Sequence, residues 1–288
     1  MSDLGGATAY LYNGRLFVKS FHTLYALHPE NGKVLWAFCP YGTRHETMYS
    51  SPTGHQGRIY IGDRKGFLHC LDAAAGQTFW KFRTSRARDC EVNSTPLIAS
   101  GSVMVTTNAK SAIACDPATG RLNWRQRLDA LSAFGPMSWR GLLVAKARSV
   151  YFLDPHSGEI RRCLRLRNNG ARFVECTPDS VIVVVKGDRP LIEMSNLVLL
   201  SKSGTERNIP IAGFCLGLRY SAEKRLLYAT LYGGEIDLVH PVTADILCKL
   251  KPPGIAYPGM AHPGVKGDAI YTMTGGGHVY ALKHPPIP

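Results

Sequence analysis

Histidines, carboxylates and arginines gather in four stretches of this 288-residue sequence, which between them hold the side chains that acid–base work on an anionic substrate requires. TRHETMYSS holds Arg44, His45 and Glu46, and RARDCEVNS holds Arg86, Arg88, Asp89, Cys90 and Glu91. ARFVECTP holds Arg172, Glu175 and Cys176, and YPGMAHPG holds Tyr257 and His262. His45 and His262 are the first acid–base candidates, followed by Glu46, Asp89, Glu91 and Glu175. Arg44, Arg88 and Arg172 are the candidate anion clamps, with Tyr257 beside them. Against this stands the ordinary fate of a lone loop histidine, which is structural or merely exposed. Cys90 and Cys176 are weaker as nucleophiles, because the sequence supplies neither with a positioned base.

What must position these residues is a repeat. LHPENGKVLW (27–36), LDAAAGQTFW (71–80) and CDPATGRLNW (115–124) are three copies of one turn and strand, with Trp36, Trp80 and Trp124 spaced by 44 and 44 residues. LDPHSGEIRR, LSKSGTERN and VHPVTADILC continue the series, and VYALKHPP repeats only the strand leading into the turn. Markers at 32, 76, 120, 158, 204 and 244 are thus separated by 44, 44, 38, 46 and 40 residues, the period of a four-stranded propeller blade. Each period parses into four short alternating strands, and no stretch reads as an amphipathic helix. The expected fold is all-β: a single propeller domain over 1–288 of seven antiparallel blades at about 7–39, 47–84, 92–128, 131–167, 171–210, 211–250 and 255–284. The first blade already starts with an innermost strand, TAYLY, and the seventh stops after its third, so a three-stranded last blade is expected. Closure then falls to packing or to another chain.

The pattern SSPTGHQGRIYIGDRKGFLHCLDAAAGQTFWKF (50–82) resembles the repeat of the pyrroloquinoline-quinone-type, or quinoprotein-like, β-propellers. That group includes quinoprotein alcohol dehydrogenases, the lipoprotein of the outer-membrane barrel assembly machine, and cytosolic propellers. The likeness is strong in the first three blades and weak afterwards. It implies that each tryptophan docks on the neighbouring blade. Arg162, Asn208 and Cys248 stand at the later equivalents, so the girdle is incomplete. It also implies a test for the quinone cofactor, since such dehydrogenases use vicinal cysteines and a metal cluster of carboxylates and asparagine. This chain has no adjacent cysteines and no dense acidic cluster, so neither the quinone nor any other cofactor is expected, nor a metal.

In a propeller, the loops between second and third strands share one face with the blade-to-blade connections. Here those loops carry Lys19, Arg64 with Lys65, Lys110, Lys146 with Arg148, and Lys186 with Arg189. With a net charge of +13, from 34 Lys and Arg against 21 Asp and Glu, they describe a basic rim that draws an acidic small molecule or acidic protein segment. Solvated lysines at loop tips are the ordinary alternative. The excursion KGDRPLIEMSN (186–196) enlarges one rim loop, where binding residues concentrate. TGGGH (274–278) reads as a hairpin turn and not a phosphate loop, having no helix behind it. Nucleic acid is not an expected partner, because tyrosines alternating in strands fill the space between blades.

The eight cysteines are scattered singly and read as reduced and structural. No apolar run approaches the length of a membrane span, and the first residues carry no leader or lipid-accepting cysteine, so a cytoplasmic location is expected. The function expected is a non-catalytic scaffold that binds through its basic rim and channel. The alternative is an enzyme using His45 or His262 at the same mouth, and a third reading is a quinone-dependent oxidoreductase. Oligomeric state is left open.

Overall fold

The computed structural model describes residues 9–20, 22–42, 50–86, 90–130, 135–166, 171–186, 195–201, 205–211, 213–232, 234–243, 245–251, 263–273 and 279–286. The chain is a seven-bladed β-propeller, and every strand pair is antiparallel with its sequence neighbour. Six blades have four strands, spanning 9–38, 53–83, 97–127, 137–164, 171–211 and 215–250, and the last, 264–283, has three. No helix occurs among the described residues. Blades one to four belong to a compact unit of residues Met1–Arg165, and blades five to seven to a second of Leu166–Pro288.

The recurring turn explains the first unit. In the third blade, Asp116 Oδ1 accepts hydrogen bonds from the Ala118 amide (3.0 Å), the Thr119 amide (2.7 Å) and the Thr119 hydroxyl (2.7 Å). Asp72 and Asp154 cap the second and fourth blades in the same way. The Gly120 amide donates to the Asp116 carbonyl at 2.9 Å, which requires the left-handed φ of 73° that glycine adopts without strain. A register shift follows between Ala114 and Cys115, and Trp124 then faces the next blade. Its indole Nε1 donates to the Pro155 carbonyl at 2.9 Å, as Trp80 does to Pro117 (3.1 Å) and Trp36 to Ala73 (3.3 Å). Each tryptophan lies on the turn glycine of the following blade, so that a Cβ at Gly76, Gly120 or Gly158 would meet an indole within 2.7 Å. The docking implied by the resemblance is therefore present in the three blades that keep the tryptophan.

Between the blades lie apolar layers. Tyr60, Leu68 and Cys70 of the second blade meet Val103, Val105, Ile113 and Cys115 of the third. Leu197 and Leu199 of the fifth meet Leu218, Leu227 and Ala229 of the sixth. All eight cysteines are free, and burial pushes the Cys115 thiol up to about 12. The buried thiols of Cys70, Cys90, Cys115 and Cys215 behave as small apolar side chains.

Two glycines test the docking contact. Gly120→Ala places a methyl 2.6 Å from Trp80 Cδ2, whereas Gly101→Ala, at an almost identical φ of 72°, meets nothing within 4 Å. Thermal and urea unfolding should show about 1–2 kcal/mol lost at Gly101, from the left-handed backbone alone. At Gly120 the loss should be larger, on the order of 3 kcal/mol or more, because the indole must also move. Equal losses would mean that the indole contact carries no stability.

Candidate functional site: the basic rim of the first unit

The loops between second and third strands are shaped by polar side chains that point back into the fold. In the second blade, strand Arg58–Gly62 runs into Asp63, whose Oδ1 accepts the Phe67 amide at 2.9 Å and closes the loop on strand Phe67–Asp72. Asp63 Oδ2 takes two further partners, His69 Nε2 at 2.6 Å and the Tyr41 hydroxyl at 2.5 Å. Burial works to raise the Asp63 carboxyl, but these hydrogen bonds and the His69 charge outweigh it and hold the group below the ordinary carboxylate range. His69 and Asp63 are almost sealed from solvent, and the imidazole packs edge-on against Phe38 at 5.3 Å. The set resembles an acid–base dyad in composition, yet both carboxylate oxygens are occupied. Its effect is to tie the connection between the first two blades to the loop of the second.

Above it, Lys65 Nζ sits 4.0 Å from the centre of the Tyr41 ring, a cation–π contact. Arg64 Nε donates to Glu91 Oε1 at 2.8 Å, and Glu91 Oε2 accepts from Asn93 (2.7 Å) and Asn108 (2.8 Å). Glu91 thus staples the second blade's loop to the third's and has no oxygen left for catalysis. Cys90 is buried beneath, its thiol 3.3 Å from the Lys65 carbonyl and raised by desolvation. In the fourth blade, Asp129 receives the Arg148 amide at 3.1 Å and the Ser149 hydroxyl at 2.6 Å.

The predicted cations divide. Lys65, Lys110 and Arg148 are exposed on successive loops of one compact unit, as the rim requires. Lys146, by contrast, is a correction. It is the last residue of strand Leu142–Lys146 and only 9% exposed, and its equivalent Lys19 is 4% exposed, with an ammonium lowered by desolvation. Each is the last residue of a second strand, so neither is a loop tip. Arg44, His45, Glu46, Arg88, Asp89, Arg189, Tyr257 and His262 lie outside the described residues. Arg172 and Lys186 fall on strands Ala171–Cys176 and Ser180–Lys186 of the second unit.

Glu175 is described, and it is buried. Desolvation raises its carboxyl to about 7, against the opposing charge of Arg219 and a hydrogen bond from the Tyr220 amide. Cys176 beside it is pushed up to about 12, again by desolvation, which leaves it a poor nucleophile.

Sequence reasoning missed two features. The Asp63–His69–Tyr41 set breaks the repeat, since Tyr25, Ile113 and Tyr151 occupy the positions equivalent to His69. A polar residue at a position that other blades fill with larger apolar or aromatic ones was the available signal. The second is an outer row of cations, Arg83, Arg127 and Arg165, each seven residues beyond a turn glycine and therefore spaced by 44 and 38 like the glycines themselves. All three are exposed.

Among the described residues no three His, Cys, Asp or Glu side chains group to hold a metal ion. The buried carboxylate of Asp237 has no hydrogen-bond partner among the described residues, and Lys249 Nζ lies 4.0 Å from it.

A sequence model of the family described as outer membrane protein assembly factor BamB matches residues 20–172. Quinohemoprotein alcohol dehydrogenase ADH-IIG of Pseudomonas putida is 24% identical over 135 residues, which cover 41% of this chain and 19% of that protein. The dehydrogenase subunit of the quinone alcohol dehydrogenase of Gluconobacter oxydans is 26% identical over 139 residues, covering 41% and 18%. The matched segment is thus less than a fifth of the length of these curated relatives. Among solved structures, BamB from Moraxella catarrhalis superposes with a TM-score of 0.75 at 15% identity, covering 98% of this chain and 86% of that one. The Neurospora crassa Pan2 WD40 domain does so at 0.68 and 13%, covering 99% and 92%. At such identities the structural likeness speaks for the fold.

The Glu175 carboxyl gives a pH test of its burial. Its folded value of about 7 lies above the ordinary 4.5, so the protonated form stabilises the fold. That contribution is complete below pH 4.5 and is lost as pH rises through 7. Glu175→Gln should flatten the stability profile across this interval and raise the melting temperature above it, by the equivalent of about 3 kcal/mol. An unchanged profile would place the carboxyl in water.

Proposed function

The chain belongs to the family of the outer membrane protein assembly factor BamB, and from that premise we propose that it is a non-catalytic scaffold that binds an acidic segment of a protein partner. The observation that carries this reading is the exposed row Lys65, Lys110 and Arg148, set on successive loops of one unit by the repeat. Loop tips held on a rigid sheet framework are where propellers and other scaffolds place recognition residues. The described carboxylates nearby, Asp63, Glu91 and Asp129, are spent on hydrogen bonds within the loops. They hold in place the backbone of the loops that carry the cations. Such a row accelerates encounter with an acidic partner and selects against basic ones, with a strong dependence on salt.

The test is capture of partners from cells that make the protein, comparing wild type with Lys65→Glu/Lys110→Glu/Arg148→Glu and identifying the retained proteins by mass spectrometry. The reading expects the principal retained protein to have an acidic segment and to fall at least tenfold in the variant, about 1.4 kcal/mol. It also expects wild-type capture to weaken steeply between low and physiological salt. Retention unchanged by reversal of all three charges would overturn the basic-rim reading.

A further inference from the structure

The outermost strands of the first three blades carry a second pattern, distinct from the loop row. Adjacent blades of this unit meet along their innermost strands, so their outermost strands face each other across a seam at the circumference. Across the first seam, Trp36 and Phe38 of strand Val34–Phe38 pack toward the second blade, half-buried against Ile59, Ile61 and Leu71. The opposite wall is strand Thr78–Arg83, where Lys81 pairs across from His69 and Arg83 from Phe67. His69 touches Phe38, so Lys81 and Arg83 share the face turned to the first blade, both within 6 Å of the Phe67 ring at 5.5 and 5.7 Å.

The second seam repeats this composition. Trp80 and Phe82 lie half-buried in the layer between the second and third blades. Facing them, Arg125 pairs across from Ile113 and Arg127 from Ser111, and Ile113 belongs to that same layer. The Arg125 charge also reaches the buried Cys115 thiol, which places it on this side of its strand. Both seams therefore offer two half-buried aromatic side chains on one wall and two exposed cations on the other. By the third seam the pattern decays to Trp124, Gln126, Cys163 and Arg165.

Exposed basic residues on edge strands have an ordinary use, which is to block edge-to-edge aggregation. That use requires charge on the edge but not aromatic side chains left half-open opposite it, nor the same pairing in consecutive seams. We propose that these two seams bind an extended acidic protein segment laid along the circumference, each seam taking an apolar side chain against its aromatic wall and a neighbouring carboxylate on its cation pair. Arg125 and Arg127, and Lys81 and Arg83, alternate along their strands, so a carboxylate meets two cations one strand pleat apart. The inference deepens the scaffold reading and rests on it, but it uses none of the loop cations.

The probe is a fluorescein-labelled peptide of alternating Glu and Phe, compared by anisotropy with an all-Glu peptide of equal charge and a Lys–Phe peptide, on the full chain. The Glu–Phe peptide should bind at least tenfold more tightly than either control. Arg125→Glu/Arg127→Glu should abolish that advantage, while Lys65→Glu/Lys110→Glu/Arg148→Glu should leave it. Arg125→Gln/Arg127→Gln, milder in its effect on folding, should give an intermediate loss and unchanged thermal unfolding. Equal affinity for the all-Glu peptide, absence of binding, or affinity indifferent to both Arg125/Arg127 variants would overturn the seam proposal. A seam that fails while the loop variant still loses its captured partner leaves the scaffold reading standing. Loss of peptide binding only in the loop variant would move the acidic-segment site to the rim.

Discussion

An indole resting on the Cα of the next blade's turn glycine is the contact on which the first unit is built. It demands three things together: an aspartate to close the turn, a glycine to adopt the left-handed backbone, and a tryptophan a few residues later to reach across. The indole also needs its nitrogen satisfied, and the carbonyl just after the capping aspartate supplies the acceptor. In blades two and three one residue stretch serves as platform for the preceding blade's indole and as anchor to the following blade, so those copies are constrained on both sides, while the fourth blade's turn, with Arg162 in place of the tryptophan, is a platform only. A buried polar ring system gains its hydrophobic area only when its N–H is paired, and the repeat provides both at once.

With the lower turns so constrained, variation collects on the opposite edge of the blades. There the polar residues divide their work. Asp63, Glu91 and Asp129 spend their oxygens on backbone amides and neighbouring side chains, which makes the loops rigid. The cations beside them remain at the surface, carried on loops whose shape they do not determine. It is on these exposed cations that the proposed electrostatic recognition rests.

Much of the fold was legible in the chain because spacing reports it directly. A marker returning every 38 to 46 residues leaves few architectures, and the three strands of the last blade are those that its repeat spells out. The site was less legible. Lys146 and Lys19 read as loop residues, yet each ends a strand and is buried, and the sequence does not mark the residue at which strand gives way to loop. Glu175 was visible as a carboxylate near arginines but not as a buried one. The outer row of arginines is present in the spacing, but on or just beyond the outermost strands and not in the loops between second and third strands.

By itself the sequence determined the seven blades, their four-stranded plan and the capped turns, since those depend on residues close together in the chain and repeated at a fixed interval. Only the tertiary structure decided which charges stand in water and which are spent. Lys65 meets Tyr41, Arg64 meets Glu91, and Asp63 meets both Tyr41 and His69, pairs drawn from different strands or blades. Desolvation and hydrogen bonding of a charge depend on what arrives from elsewhere in the chain, and no local pattern carries that information.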